Sequence, residues 1–467
     1  MATRRGVVSW NLLDEPWIGV CRDGQATEVG LLEAIADARR ITSLTADSPI
    51  QEAALLRLLL AITHRATTHH DSLDLTAIGD YLQHWRPRFD LLDPDAPFLQ
   101  TPGMTPRATV DDLLPDRWPQ PKNRYFTTGS GPISLATAAR WLITAHAADR
   151  MGIKPPAPGD PRATNGRVYP RTLGWLAQTV CTYAVADTLA DTLLLGLPDH
   201  HDPNDLPAWE RPVTTGQPTD RTPTGLADLY TWQSRRVLLA ADGGQVTGAI
   251  VTYGDDLDPD TATDIDHMVS YIDDAGTRKL LRTWRPAWSH LPTLAATPLA
   301  GRLTRLPPDT SIDMRWTSIE WGTMASIATA ERTGSVHATA AAITERITST
   351  GDADIAAQVI SAVTWLHKLI AIASGNQDAA MSADVRSALL ADLVPAYQRS
   401  LHDTTSTDWA ASATDIGLTH GQRLIDHAPL AAQRGRYDSG LGQHIDLWVA
   451  ERLFHGRLQS ASAPTNT

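Results

Sequence analysis

The sequence predicts an α+β protein: a large mixed, mostly helical N-terminal domain with β-hairpins, followed by a C-terminal four-helix bundle. Three observations predict it. Asp-Gly pairs stand between short apolar runs at 23–24 and 242–243, a strong local sign of a β-hairpin. A capped apolar run starts at Ser48, and from about Val336 the composition turns to alanine-rich helical segments. The expected boundaries are 1–335 for the mixed domain, 336–458 for the bundle and 459–467 for a disordered tail.

In chain order, Trp17 to Val20, Asp23-Gly24 and Ala26 to Val29 form the first hairpin. Ser48-Pro49-Ile50-Gln51 then places a cap, a proline at the first helical position and a glutamine that completes a capping box. The helix runs to about Ala66. Its apolar positions cover most of the circumference, as in a helix buried on more than one side. From Pro94 to Gly131 proline, glycine and asparagine dominate and periodicity fades, which predicts long loops. Helical pattern returns at Leu135 to Ala148, and the proline-rich stretch 152–167 interrupts it. Leu173 to Leu195 reads as helix, 200–212 as a structured loop, and Ser234 to Leu239 with Ala249 to Tyr253 as a second hairpin. The bundle helices are expected at 337–349, 353–373, 382–402 and 438–457, with 406–436 less regular.

Hydrophobic residues make up 42% of the 467 residues and charged residues 20%, a globular profile rather than a disordered one. The longest apolar stretches fall short of the ~20 residues that cross a bilayer, and MATRRGVVSW lacks the apolar core of a signal peptide; the expectation is a cytoplasmic protein with no membrane partner. A formal net charge of −13 argues against coating nucleic acid with the whole surface. Any DNA contact is local or shared with a basic partner.

Cys21 and Cys181 are the two cysteines, which suits reduced thiols and excludes a cysteine-only zinc site within one chain. His69-His70-Asp71, His200-His201-Asp202 and His402-Asp403 invite a metal, yet none has HExxH or Cys/His spacing. Asp256, Asp258 and Asp260 begin like a calcium loop, but Thr261 and His267 stand where glycine and glutamate belong, so a solvated acidic loop is expected. Neither a GxSxG elbow nor a GxxxxGK[ST] phosphate loop is present, so the chain lacks the signatures of a serine hydrolase and of a nucleotide-driven motor. Several of the 15 tryptophans neighbour arginine, at Trp85, Trp141, Trp232, Trp284 and Trp316. Such pairs stack bases in some proteins, but most tryptophans fill cores.

NLLDEPWIGV at 11–20, DSPIQEAALLRLLLAI at 47–62, PFLQT at 97–101, GIKPPAPGDPR at 152–162, LPAWER at 206–211 and DLYTWQSRRVLL at 228–239 resemble, in order and spacing, the CasA family. That family is the large subunit of the type I-E CRISPR Cascade. The resemblance implies a non-catalytic subunit without cofactor or metal. Its partners are the crRNA guide, double-stranded target DNA and the backbone, handle-capping and small subunits of Cascade. It reads a short flanking motif, the PAM, from the minor groove and promotes strand separation and R-loop formation, while base pairing with the guide reads the target. A helicase-nuclease follows it in defence; in a CRISPR-associated transposon, transposition proteins take that place. A metal-dependent hydrolase using a His-Asp pair is the alternative of another class.

Position by position, Phe126, with Thr127 and Thr128, matches the loop that grips the guide's 5′ handle. Gly152, Lys154 and Gly159 match a glycine-rich loop that approaches DNA, with prolines 155, 156 and 158 stiffening it. The minor-groove lysine falls at Arg278-Lys279. The strand-separating wedge, commonly a glutamine, falls at Met324 in Gly322-Thr323-Met324; a methionine can wedge between base steps but supplies none of glutamine's hydrogen bonds. The competing reading of Met324 is a core gap filler.

Overall fold

A computed structural model describes residues 9–67, 72–115, 131–198, 202–274, 277–282, 284–295, 297–322, 325–348, 351–375, 383–402 and 409–459. The chain divides into two compact units. The first comprises residues up to Trp284 with Thr297–Arg302 and Ile312–Ser335, and the second holds Arg285–Ala296, Leu303–Ser311 and the chain from Val336.

The first unit opens with β1 (Ile18–Arg22) and β2 (Gln25–Val29), joined by Asp23 and Gly24 at φ 52° and 78°. Positive φ at both turn residues matches the twist of the strands. β3 (Ile41–Thr45) completes an antiparallel sheet in the order β2-β1-β3. The Pro49–Ala66 helix begins as its residues dictate: Ser48 accepts from the Gln51 amide, and the Gln51 side chain reaches back to the Asp47 amide at 2.9 Å. Leu55, Leu58, Leu59 and Ile62 on this helix are all buried in the core of the first unit; truncating one of these leucines to alanine costs about 2–5 kcal/mol.

β4 (Ile133–Ser134) and β5 (Cys181–Val185) belong to different sheets. β4 edges the hairpin of β6 (Arg235–Asp242) and β7 (Gln245–Tyr253), whose turn again has two positive-φ residues, Gly243 and Gly244. β8 (Tyr271–Asp274) and β9 (Thr277–Leu280) form a separate hairpin. β5 pairs antiparallel with β10 (Ser311–Trp321), beyond which lies β11 (Ala328–Thr339). The helix expected over 173–195 is therefore corrected. A short 3-10 turn at Trp175–Gln178, strand β5 and a helix at Leu189–Gly196 take its place, because the β-branched and aromatic run Thr182-Tyr183-Ala184-Val185 has β10 to pair with.

In the second unit, helices run over Ala340–Thr348, Gly351–Ser374, Ala383–His402, Trp409–Asp426 and Leu447–Gln459. Two expectations are revised. The 406–436 stretch holds an 18-residue helix at Trp409–Asp426, and 438–457 begins with the hairpin β12 (Arg436–Asp438) and β13 (Gln443–Ile445) before its helix. Trp288, Tyr397 and Trp409 pack ring against ring around Asp352, which accepts from the Tyr397 hydroxyl at 3.1 Å and pairs with Arg346 at 3.2 Å. The Gly351–Ser374 helix is long and apolar enough to cross a membrane, but Val359, Val363, Leu366 and Leu369 on it are fully buried in the fold.

Candidate nucleic-acid interface

The 152–167 loop is held by its own backbone. Lys154 and Val168 exchange amide–carbonyl hydrogen bonds at 3.0 and 2.9 Å, and Thr164 and Arg167 close a tight turn through Asn165 and Gly166, both at positive φ. Asp160 accepts from the Arg162 amide, Nε and a guanidinium nitrogen, each at 2.9 Å, while Arg162 donates to the Gly254 carbonyl at 3.0 Å. The Tyr253 hydroxyl accepts from the Gly152 amide at 3.0 Å and donates to its carbonyl at 2.8 Å. Gly152 and Gly159 take φ of 154° and 77°, values that favour glycine.

Lys154 does not face outward. Its side chain is 6% exposed, and its ammonium lies 2.8 Å from Asp149 Oδ2, which also pairs with the fully buried Arg235. Burial alone would raise the Asp149 pKa; Lys154 and Arg235 overcome it and hold the carboxyl below its usual range. Burial pushes the Lys154 ammonium below its ordinary value. The expected phosphate contact of Lys154 is thus corrected to an internal ion cluster. The same loop exposes Arg167 and Tyr169, the latter 56% accessible. Asn165-Gly166 is the turn signal from which these two outward positions were readable.

The turn between β10 and β11 reaches this loop. Gly322 donates to the Ile327 carbonyl at 2.9 Å, Ala325 to Gly322 at 3.1 Å, and Met151 donates to the Ala325 carbonyl at 3.0 Å. Thr323 and Met324 lie outside the described residues, as do Phe126, Thr127 and Thr128. The β8–β9 hairpin rises beside the same sheet: Thr182 of β5 donates to Met268 at 2.7 Å, Val180 to Leu281 at 2.9 Å, and β5 in turn pairs with β10. Lys279 stands opposite Ile272 on β9 and is exposed; Arg278 stands opposite Asp273. The residues that flank the two predicted segments 152–167 and 322–324, Met151 and Ala325, are thus hydrogen-bonded to each other, and Met268 and Leu281, which flank the β8–β9 hairpin, bond to Thr182 and Val180.

Several sequence signals prove to be internal fastenings. Glu210 of LPAWER receives a two-pronged pair from Arg65, 2.9 Å on each arm, and the Tyr81 hydroxyl at 2.6 Å. Arg235 and Arg236 of DLYTWQSRRVLL are both buried, paired to Asp149 and Asp255. Trp232 and Trp316 are buried, with Arg221 stacked 3.9 Å over Trp232, so neither offers a face to a base. Asp258 caps the Pro259–Ile265 helix and Asp256 pairs with Arg171, so the acidic run is a capped, ion-paired corner. Among the described residues no group of three or more His, Cys, Asp or Glu is placed to hold a metal; His69, His70, Asp71, His200, His201 and Asp403 lie outside them.

Comparison with known proteins agrees with the fold. Residues 11–416 match the family described as CRISPR-associated protein Cse1. A CRISPR-associated protein CasA/Cse1 of Thermus thermophilus is 32% identical over 323 residues, which span 61% of this chain and 60% of that relative, less than two thirds of its length. The crystal structure of Thermobifida fusca Cse1 superposes with a TM-score of 0.84 at 29% identity, covering 97% of this chain and 98% of that one. A chain of a CRISPR RNA-guided surveillance complex shares the fold at a TM-score of 0.70 and 18% identity, covering 97% of this chain and 100% of that one. With most of its length matched and the fold shared end to end, the chain belongs to the CRISPR-associated Cse1 (CasA) family, the large subunit of type I-E Cascade.

Proposed function

We propose that this chain is a non-catalytic, intracellular subunit that inspects duplex DNA for a flanking motif on behalf of a guide RNA and helps to part the strands. One observation carries the reading: the Met151–Ala325 hydrogen bond ties the glycine-bearing loop to the β10–β11 turn. Two loops with a shared anchor move as one probe. Arg167 and Tyr169 on the loop and Lys279 on β9 supply the charge and the ring that such a probe needs. Reading from the minor groove, with its degenerate pattern, tolerates several flanking motifs. The mixed domain of 1–335 carries the guide-handle and motif loops, and the helical domain of 336–458 docks the protein that acts next.

The test uses the complex assembled with guide RNA and the other Cascade subunits, offered a library of duplexes that differ only beside the target. Met324→Ala is expected to alter which flanking motifs are accepted, with guide binding unchanged. An unchanged motif profile retires Met324 as the wedge. Stoichiometric metal and DNA cleavage by the purified chain would overturn the non-catalytic reading.

A further inference from the structure

Among the described residues of the first unit, two large apolar side chains stay exposed, Ile153 and Tyr169, each 56% accessible. One such residue alone needs no explanation. These two stand together. Lys154 and Val168 exchange both backbone hydrogen bonds as an antiparallel pair, and their side chains are buried, at 6% and 1% exposed. Side chains alternate along an extended ribbon, so the neighbouring pair, Ile153 and Tyr169, turns outward with Cβ atoms about 4.5–5.5 Å apart.

The amides on either side of Ile153 are spent. Gly152 donates to the Tyr253 hydroxyl, and Lys154 donates to the Val168 carbonyl. What the loop presents at this point is a branched hydrocarbon. Polar groups stand further along: Thr164, Asn165 and Arg167 are exposed at the turn, and Tyr169 carries a hydroxyl. Arg162 and Arg171 are paired with Asp160 and Asp256, which leaves Arg167 as the cation of this stretch without a carboxylate partner among the described residues.

Two side chains beside a cation make a patch far smaller than the roughly 800 Å² that a stable protein partner covers. The minor groove of B-form DNA, about 6 Å wide, has walls of sugar C–H groups with phosphates at the rim, and isoleucine is among the apolar residues that enter it. In RNA the sugars carry 2′-hydroxyls on that side. A hydroxyl pressed against Ile153 loses its water and gains no partner.

We propose that Ile153 selects the sugar: it packs against a deoxyribose of the flanking motif and disfavours a ribose at that place. The proposal rests on the reading that this loop inspects duplex DNA, and it adds which nucleic acid the loop accepts.

The test uses Cascade assembled with this chain and a guide RNA. Duplexes carry an accepted flanking motif beside a target mismatched to the guide, so that affinity reports the flanking contact and not guide pairing. Across the motif the sugars are deoxyribose, 2′-fluoro-2′-deoxyribose or ribose. The fluoro sugar has the pucker of ribose without its hydroxyl donor, which separates groove shape from the buried hydroxyl. The native complex is expected to bind the ribose duplex about 10-fold more weakly than the fluoro duplex, the effect of one unpaired buried hydroxyl. Ile153→Ser, which offers that hydroxyl a partner, removes the difference, and Ile153→Val keeps it. Equal binding of the ribose and fluoro duplexes by the native complex, or a ratio unchanged in Ile153→Ser, overturns the proposal. So does an Ile153→Ser chain that no longer joins the complex, which makes the patch a subunit contact. Indifference to the flanking motif among all-DNA duplexes refutes the reading of the loop and this inference with it; a motif preference without a sugar preference refutes this inference alone.

Discussion

Replacing Lys154 by methionine separates a DNA-contacting lysine from a structural one. The ammonium is almost fully buried, 2.8 Å from Asp149 Oδ2, and Arg235 holds the same oxygen. Removing Lys154 leaves Asp149 with one cation, so the loss is one charge-assisted hydrogen bond, about 1.5–3 kcal/mol, part of which methionine recovers by filling the space without a buried charge. Asp149→Asn costs more, about 3–5 kcal/mol, because two buried cations then face a neutral amide. The double variant loses less than the two losses added, since removing Lys154 relieves one of those cations; the expected coupling is about 0.5–3 kcal/mol. Hydrogen exchange across residues 145–175 at rising urea measures each loss where it occurs, and duplex affinity against salt is measured on the assembled complex. Unchanged exchange, together with a salt slope shallower by about one ion, would falsify the burial argument and return Lys154 to the DNA.

Two further consequences follow from buried polar groups. Burial pushes His146 down to about 4, and its Nε2 sits 2.8 Å from the Leu99 carbonyl. The unfolded chain therefore takes the proton first. This contribution is complete above pH 6.5, the ordinary value, and is lost as pH falls through about 4, a total of about 3 kcal/mol. His146→Gln keeps an N–H donor but cannot titrate, so its urea midpoint should fall less between pH 7 and pH 4.5 than that of the native chain; parallel curves would exclude His146 as a cause. Glu210→Ala strands Arg65 and Tyr81 and lowers stability by about 3 kcal/mol in thermal or urea unfolding. Arg65→Lys recovers only part of the pair, because an ammonium cannot make the two-pronged contact.

What was legible in the sequence was what local chemistry decides. Two hairpins followed from Asp23-Gly24 and Gly243-Gly244, where turn geometry admits few residues, and the Pro49–Ala66 helix followed from Ser48 and Gln51. Strand β5 was not legible, since its state depends on β10, whose residues lie about 130 positions away in sequence. The Trp409–Asp426 helix was hidden by its own glycines. A Cβ at Gly421 would lie 2.3 Å from Phe454 Cζ, and one at Gly417 would lie 2.9 Å from Val359 Cγ1. Glycine lowers helix propensity at those two positions, and close packing of the helices requires it there.

The candidate site divides along the same line. Positions of the loops followed from motif order, but the direction of each side chain did not, because an aspartate that pairs with a lysine can come from any element. Arg57, Arg235 and Arg236 each meet an aspartate inside the fold, at Asp266, Asp149 and Asp255. Internal pairing takes these cations off the surface, and the Asp149 cluster takes Lys154 with it, so the exterior is at least as acidic as the formal net charge of −13. An acidic exterior gives a duplex no long-range attraction to this chain alone. On the proposed reading, affinity for a duplex comes from the few outward cations on the 152–167 loop and β9 and from basic partners beside them. If the chain inspects DNA as proposed, a probe built in this way samples it only when the assembly holds it there, which confines inspection to complexes that already carry a guide.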